Sequence, residues 1–237
     1  MKAVIASAEK TQSTSFRADM TAVASMTATG PASARLQGVL GQTVTFNVAM
    51  AAESRQRLQL RVTGTVGGKP LNVVAVLYDG TSYLSTDGGG TFRTPATSGT
   101  FPAEYSADNA LAYLQAVGSA TDEGPGNADG VAVERYAARL DGSKIMALMQ
   151  SAAASLPAGA QKLFKNMSIS GDTLDVTIDG QGHLVTLNGP IAVGVDLGGV
   201  QAGESLSQLT IHQTIDAHFH DYGAGITVTK PTVAAPA

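Results

Sequence analysis

The chain has 237 residues, 43% of them apolar and only 14% charged, so it is long enough to bury a sizeable core and too apolar for charge-driven disorder. Its 15 Lys and Arg against 19 Asp and Glu give a formal net charge of −4, which excludes a nucleic-acid binder that works by neutralising phosphates. It has no cysteine, which excludes disulfides, cysteine-based zinc sites and thiol catalysis.

The first half of the chain alternates apolar and polar residues, which is the period of strands with one wet and one dry face. We predict a short helix at residues 3–11, followed by long strands around residues 16–26, 36–50 and 58–66. Shorter strands follow at residues 71–78, 81–85 and 91–94. Asp-Gly and Asn-Gly pairs favour tight hairpin turns between strands. They occur at Asp79-Gly80, Asp87-Gly88, Asp129-Gly130, Asp141-Gly142, Asp179-Gly180 and Asn188-Gly189.

The second half mixes helical and strand patterns. We predict a helix capped by Ser106, with Ala110, Leu111, Leu114 and Val117 on one face and Gly118 at its end. Residues 122–129 are interpreted as a solvated loop. A second helical segment follows Ser143, with Ile145, Met146, Leu148 and Met149, and a further turn surrounds Leu163 and Phe164. The remaining predicted strands cover residues 131–140, 173–178, 183–187, 191–197, 207–221 and 226–229.

These elements predict an α+β fold with one mostly antiparallel sheet and helices on one of its faces, because short turns cannot join parallel neighbours. No repeat or change of composition divides the chain. We therefore expect a single domain over residues 1–232 and a frayed tail at residues 233–237.

The last long strand carries the strongest set of potential ligands. His212, Thr214, Asp216, His218 and His220 share one parity, and the opposite parity is apolar. One interpretation is a metal site formed by Asp216, His218 and His220, which would support a metal-dependent hydrolase. The other interpretation, which we favour, is the polar outer face of an amphipathic strand. Because no catalytic signature occurs elsewhere, we expect neither enzymatic activity nor a cofactor.

Five stretches of the sequence follow one another in a recognisable order. Residues 76–84 form a hairpin-like pair of strands that leads to the glycine-rich run at 87–92, and a helical stretch follows at 108–114. Residues 131–149 have the order strand, turn and helix, and residues 221–231 close the chain. In this order the sequence resembles the LppX/LprG family of actinobacterial cell-envelope lipoproteins, over nearly its whole length.

The resemblance implies a half-barrel of antiparallel strands curved around helices, with a lipid-holding cavity between the two layers. It also implies an extracytoplasmic protein, anchored to the cell membrane by a lipidated N-terminal cysteine. Since the sequence lacks that cysteine, we interpret it as a mature part that begins just after it. An untethered secreted relative is the alternative. Proteins of the LolA type share the implied architecture, so the fold alone does not separate lipid transport from protein sensing.

The residues themselves also favour a cavity. Ala18, Ala22, Ala24, Gly38 and Gly64 on the dry faces leave room, unless they only bring helix and sheet closer. The residues that we predict to line the cavity are apolar members of the strands and helices above. They are Met20, Ala22, Leu36, Leu40, Val44, Phe46, Val48, Leu58, Leu60, Val62, Val74, Val76, Leu111, Leu114, Met146, Met149, Leu163 and Phe164.

The predicted function is the non-enzymatic binding and transport of a lipid or glycolipid with acyl chains by a monomer, with no nucleic-acid partner. The alternative is an envelope interaction or sensor domain that binds a protein partner and has a filled core.

Overall fold

The computed structural model describes residues 1–30, 40–94, 111–153, 167–171, 173–196 and 208–233. The helices in this part of the chain are α1 Lys2–Gln12, α2 Ala112–Gln115 and α3 Gly142–Ala153. The strands are β1 Phe16–Thr29, β2 Thr43–Ser54, β3 Arg57–Val66, β4 Lys69–Tyr78, β5 Thr81–Ser85, β6 Val117–Ala128, β7 Val131–Leu140, β8 Met167–Gly171, β9 Thr173–Asp179, β10 Leu184–Asp196 and β11 Gln208–His220.

The strands form one large open sheet. Its order within the described residues is β5-β4-β3-β2-β1-β11-β10-β9-β7-β6, with β8 paired to β10 beside this path. Each pairing between named strands is antiparallel. The predicted α+β fold, with one large antiparallel sheet and few helices, is confirmed. No helix in the described ranges is both long and apolar enough to cross a bilayer.

Two of the predicted Asp-Gly pairs form two-residue hairpin turns, and Asp179-Gly180 begins the longer hairpin connection from β9 to β10. Asp79-Gly80 joins β4 to β5, and Asp129-Gly130 joins β6 to β7. Both residues of each pair have positive φ, at 49° and 79° in the first turn and 52° and 81° in the second. This combination defines the tight turn whose twist matches that of the flanking strands, and it explains why glycine occupies the second position.

The sheet has an inner face and an outer face, which we define on β1. The inner face carries Phe16, Ala18 and the other even-numbered residues of β1. The outer face carries Arg17, Asp19 and the other odd-numbered residues. The ladder between β1 and β11 is continuous from Arg17↔His220 to Thr29↔Gln208. The inner face forms the main core with buried residues of all three helices, among them Val4, Leu114 and Ile145.

Helix α1 packs against the buried end of the inner face. Its buried residues are spaced as one stripe of a helix: Val4, Ser7, Ala8, Thr11 and Gln12. The Thr11 hydroxyl accepts the Leu184 N–H at 3.2 Å. The Tyr222 hydroxyl donates to the Leu184 carbonyl at 2.7 Å, and its ring stacks on His183. Burial raises the pKa of Tyr222, so the phenol stays protonated and can donate this hydrogen bond.

The outer face has an apolar cluster of its own. It consists of Val74, Val76, Tyr83 and Val228, with Tyr78 and Phe92 packed against it. Val228 belongs to the segment after β11, residues 221–233, which we call the C-terminal strap. The Val228 N–H donates to Glu53 Oε2 at 2.9 Å, and the Gly223 N–H donates to the Ser15 carbonyl at 2.9 Å. The strap is thereby tied to the outer face of β2 and to the residue preceding β1.

Residues 122–129, interpreted above as a loop, lie mostly in strand β6, and this prediction was wrong. Strand β6 is an edge strand whose register shifts at Val117/Ser119 and at Asp122/Gly124. Such bulges interrupt the alternation by which strands are predicted, and an edge position accommodates Pro125. The predicted helix of residues 106–117 is also corrected at its end, because Val117 begins β6 and pairs with Leu140.

Other boundaries also differ from the prediction. Asn188-Gly189 is no turn, because β10 continues through both residues and pairs with β11 along its length. Asp141-Gly142 is no hairpin turn and instead begins helix α3, because Asp141 Oδ1 caps the helix by accepting the N–H groups of Ser143 and Lys144. Residues 226–229 form no regular strand, and Phe92 and Arg93 make only isolated bridges. Strand β8 was not predicted.

A few predicted features lie outside the described residues. These are Ser106, Ala110, Gly38, residue 197, the turn around Leu163 and Phe164, and residues 234–237 of the tail. Val233, which was assigned to the tail, bridges Phe92.

Candidate functional site: the inner face of the sheet

Burial of the inner face changes along the strands. At the end near α1, Phe16, Ala18 and Phe219 are buried, and the rings of Phe16 and Phe219 lie 6.0 Å apart between centroids. Further along the same face, Met20 of β1 and Val48 of β2 pair across the strands and are only partly buried. On β1 and β2, one end of the inner face is therefore a packed core, whereas the other leaves apolar surface accessible.

The partly buried apolar residues occupy neighbouring strands of the sheet. Register places them all on the inner face. They are Met20, Ala24 and Met26 of β1, Val44, Phe46 and Val48 of β2, Val62 of β3, Leu71 and Val73 of β4, Val193 of β10, and Leu209 and Ile211 of β11. We call this set the accessible inner surface. Its chemistry is that of a surface for hydrocarbon, because the side chains named here can offer apolar contact and no hydrogen bond.

The predicted lining residues fall into several groups. Met20, Val44, Phe46, Val48 and Val62 belong to the accessible inner surface, and Leu40 and Met146 are also partly buried. Ala22, Leu58, Leu60, Leu111 and Leu114 are buried, with exposures of 0 to 4%. Leu36, Leu163, Phe164 and the side chain of Met149 lie outside the described residues.

Two predicted lining residues need correction, because Val74 and Val76 lie on the outer face. They pair with Arg61 and Gln59, whereas Leu58 and Leu60 pair with Leu77 and Ala75. Strand β4 is apolar on both faces, since the strap covers its outer side with Val228. A strand covered on both faces loses the alternation that would have revealed this.

Gly64 does not provide empty space on the inner face, contrary to the sequence interpretation. A β-carbon built there would lie 2.7 Å from the Thr45 carbonyl oxygen and 3.1 Å from Phe46 Cδ1. Glycine is required here because β2 and the Phe46 ring approach the backbone of β3 closely. The accessible surface beside it is lined by larger side chains, including Val62 and Phe46.

One polar side chain interrupts the apolar inner face, and the sequence analysis passed over it. Gln213 has the parity of Ile211 and Ile215 on β11, and the ladder on both sides of it is continuous. It pairs with Ala24 on one side and Ile191 on the other, and it is partly buried. The signal that reveals it is the break in the apolar parity of residues 209–219.

The histidines of β11 lie on the outer face, as their parity predicts. His218 Nδ1 lies 2.8 Å from Asp129 Oδ2, and His218 Nε2 lies 3.2 Å from Asp216 Oδ1. The hydrogen bond to Asp129, together with the charges of both carboxylates, raises the pKa of His218. His220 instead contacts Asp19 at 3.1 Å and Asp221 at 3.3 Å.

These contacts do not assemble a metal centre. Asp129 and Asp216 face opposite nitrogens of the His218 ring, so their oxygens cannot converge with that ring on one ion. In the part of the chain that the structure describes, no group of three or more His, Asp or Glu side chains is arranged to hold a metal.

Two clefts lie on the outer face of the central strands. The first, of about 280 Å³, is lined by residues that include Val23, Ser25, Thr43, His212 and Gln213. The second, of about 270 Å³, includes Asp19, Asn47, Arg61 and Asp216. Both combine apolar and polar groups, and Met20 and Val48 of the accessible inner surface are also among the residues that line the second.

No family model matches the chain, and no curated protein matches its sequence. Several solved structures are similar to it. LprF from Mycobacterium bovis has 13% identity and a TM-score of 0.42, with 97% of this chain and 95% of that chain covered. Lipoprotein LppX from Mycobacterium tuberculosis has 14% identity and a TM-score of 0.41, with coverage of 96% and 99%. A LolA superfamily protein from Nitrosomonas europaea has 5% identity and a TM-score of 0.30, with coverage of 93% and 91%. LppX and LprF are thus among the solved structures to which nearly the whole chain is similar.

Proposed function

We propose that the chain is a non-enzymatic lipid carrier of the cell envelope, which holds the acyl chains of a lipid or glycolipid against the accessible inner surface. The observation that supports this proposal is the change of burial along the inner face. Met20, Val48 and Val62 point to the same side as the packed core, yet each retains accessible area. Apolar groups placed together in this way gain free energy when hydrocarbon displaces water from them.

The expected gain is large enough to hold a lipid. An acyl chain of roughly 16 carbons gains about 12 kcal/mol on leaving water, at about 0.8 kcal/mol per methylene. Part of this gain is offset by the ordering of the chain and of the side chains that receive it. Met20 and Met26 suit varied hydrocarbon guests, because an unbranched thioether side chain adapts to irregular surfaces.

The set of residues that we propose to contact the lipid is smaller than the set predicted to line the cavity. Leu58, Leu111 and Leu114 are in contact with protein on all sides, with exposures of 0 to 1%, so they support the wall and do not touch the lipid. We propose that the lipid contacts Met20, Val44, Phe46, Val48 and Val62, and that Met146 of α3 faces it from the helix side. The single domain, the extracytoplasmic location and the N-terminal lipid anchor remain part of this proposal, supported by the resemblance to the LppX/LprG family.

Extraction of bound lipid tests the proposed function. The purified protein is expected to release an acyl lipid into organic solvent, detected by mass spectrometry, and to take up a fluorescent acyl probe after delipidation. Reproducible absence of both bound lipid and probe uptake would contradict the proposal.

A second function, recognition of a protein partner through the outer face, is favoured by the two mixed clefts. Val23, 38% exposed, lines the first cleft together with Ser25 and Thr43. This function predicts that substitutions at Val23 abolish partner capture and leave acyl-probe uptake unchanged, whereas the carrier function predicts that substitutions at Val48 reduce uptake.

A further inference from the structure

Gln213 occupies a position that the pattern of its strand assigns to an apolar residue. Its neighbours two positions away on β11 are Ile211 and Ile215, and its partners across the ladder are Ala24 and Ile191. Ile191 and Ile215 are buried at 4% and 8% exposure, whereas Gln213 retains accessible area between them. The carboxamide is therefore the polar group within an apolar stretch of the inner face.

The carboxamide has hydrogen-bonding capacity that the described part of the protein does not use. A glutamine side chain offers two donors and two acceptor lone pairs. None of the described residues forms a hydrogen bond with the Gln213 side chain. Its partner across the ladder on the β1 side, Ala24, has a small side chain.

Gln213 is only partly buried, so water can hydrate its carboxamide, and a hydrocarbon guest that displaces this water leaves its hydrogen bonds unreplaced. Positions that break a local rule of this kind are expected at functional sites. We propose that Gln213 recognises the acyl ester of the bound lipid, by donating a side-chain N–H to the ester carbonyl oxygen. This inference rests on the proposed carrier function and deepens it: the ligand class becomes ester-linked acyl lipids, as in glycerolipids and acylated glycosides.

The position of Gln213 is suited to such a role. The accessible inner surface continues on both sides of it, through Met26 and Val44 in one direction and Val193 in the other. A lipid whose ester lies at Gln213 can therefore direct its hydrocarbon along apolar side chains while its carbonyl is hydrogen-bonded. A hydrocarbon chain alone leaves the carboxamide unpaired, so a carbonyl in the ligand adds to the affinity.

The test compares two probes that differ in one carbonyl, 1-palmitoylglycerol and its ether analogue 1-hexadecylglycerol. Their affinities are measured by displacement of a fluorescent acyl probe from the delipidated full chain. One net hydrogen bond predicts that the natural sequence prefers the ester by about three- to tenfold. In Gln213→Met, which keeps the length of the side chain and removes its hydrogen bonds, the preference is expected to fall to about one while ether affinity is retained.

Gln59→Met is the matched control, because Gln59 lies on the outer face of β3 and pairs with Val76. It is expected to keep the ester preference. Gln213→Leu provides a second variant, and circular dichroism melting verifies that each variant is folded. Equal affinity of the natural sequence for ester and ether, or an unchanged preference in both Gln213 variants, would overturn this inference alone. Failure of the natural sequence to bind either probe would overturn the proposed function, and this inference with it.

Discussion

His218 lies between two carboxylates that come from different parts of the chain. Asp216 is its neighbour of the same parity on β11, whereas Asp129 belongs to the β6–β7 turn, 89 positions away. Both ring nitrogens face acceptors, so the doubly protonated imidazolium is the form that can donate to both. The contact therefore ties the tip of an edge hairpin to the central strand β11.

This contact predicts a pH-dependent stability. The folded-state pKa of His218 is raised above the ordinary value of 6.5, chiefly by its hydrogen bond to Asp129. The stabilisation is complete below the unfolded pKa and is lost as the pH rises through the folded pKa. We expect Asp129→Asn to lower the melting temperature more at pH 5.5 than at pH 8.5.

Asparagine is a suitable replacement because it tolerates the positive φ of 52° that Asp129 adopts. Asp175→Asn, at an exposed position on the outer face of β9, is the control, and its effect should not follow the titration of His218. If Asp129→Asn lowers the melting temperature equally at both pH values, the imidazolium contact does not stabilise the fold.

At the level of single residues, the sequence predicts which face of a strand a side chain occupies better than it predicts which residue that side chain contacts. The parity of residues 208–220 correctly placed His212, His218 and Asp216 on one side of β11. The Asp129 partner could not be predicted, because it depends on how the sheet brings the β6–β7 turn towards β11. Gln213 could have been found as the polar member of the apolar parity.

At the level of elements, the C-terminal strap gives the sheet a second buried layer. Val228 packs in a cluster with Val74 and Val76 of β4 and Tyr83 of β5, and only 3% of it is exposed. Glu53, which accepts the Val228 N–H, is also bound by Arg57 at 2.9 Å, and Arg57 donates to Asp79 at 2.9 Å. These hydrogen bonds lower the pKa values of both carboxyl groups, so each remains ionised when it binds the guanidinium.

The strap is therefore expected to stabilise the fold without contributing to lipid binding. Val228→Ala removes buried methyl groups from the outer cluster and should lower the free energy of unfolding by about 1–3 kcal/mol. Uptake of the acyl probe at a temperature well below the melting transition should equal that of the natural sequence. Val233→Ala, at a 39% exposed position of the same strap, is the matched control and should alter neither quantity. A loss of uptake in folded Val228→Ala would contradict the separation of the two faces.

The elements that the sequence predicts well are strands with one solvent-exposed face and one buried face. Strands β1, β2, β3 and β11 alternate clearly, and their apolar parity is the inner face of the structure. Prediction failed where covering or bulging removes the alternation, as in β4 beneath the strap and in β6 at the edge. It also failed at Asp141-Gly142, because an Asp that precedes a Gly serves equally well as a helix cap or as a turn residue.

At the level of the whole molecule, the inner face combines a packed core with a proposed ligand surface. The position of the helices decides whether an inner-face residue belongs to the packed core or to the ligand surface. The alternation of residues within a strand does not predict that position. Ala22 and Val44 have the same inner orientation, and register connects them through Phe46 and Ala24. Yet Ala22 is 4% exposed whereas Val44 is only partly buried.

Tryptophan substitutions at these two positions should separate the two parts. Ala22→Trp inserts an indole into a packed region and should lower the free energy of unfolding by about 1–3 kcal/mol or more. Val44→Trp places the indole on accessible surface, so the protein should keep its melting temperature and take up less acyl probe. Both quantities are measured on the same samples.

Thr45→Trp, at the adjacent exposed outer position, controls for the added indole and should leave uptake unchanged. Strong destabilisation by Val44→Trp would show that this end of the inner face is already filled. Full uptake by a stable Val44→Trp protein would place the acyl chain elsewhere.

The pairing of β1 with β11 at the centre of the sheet also affects how the chain must fold. Asp19 and His220, which touch across this ladder, are 201 positions apart in the sequence. Contacts between such distant residues require costly loop closure, and folding slows as they come to dominate a structure. During synthesis, β1 to β5 can form a meander early, but the free edge of β1 stays unpaired until residues 208–220 have emerged. An unpaired strand edge can pair with another molecule, so a partner that covers β1 until β11 is available would reduce misassembly.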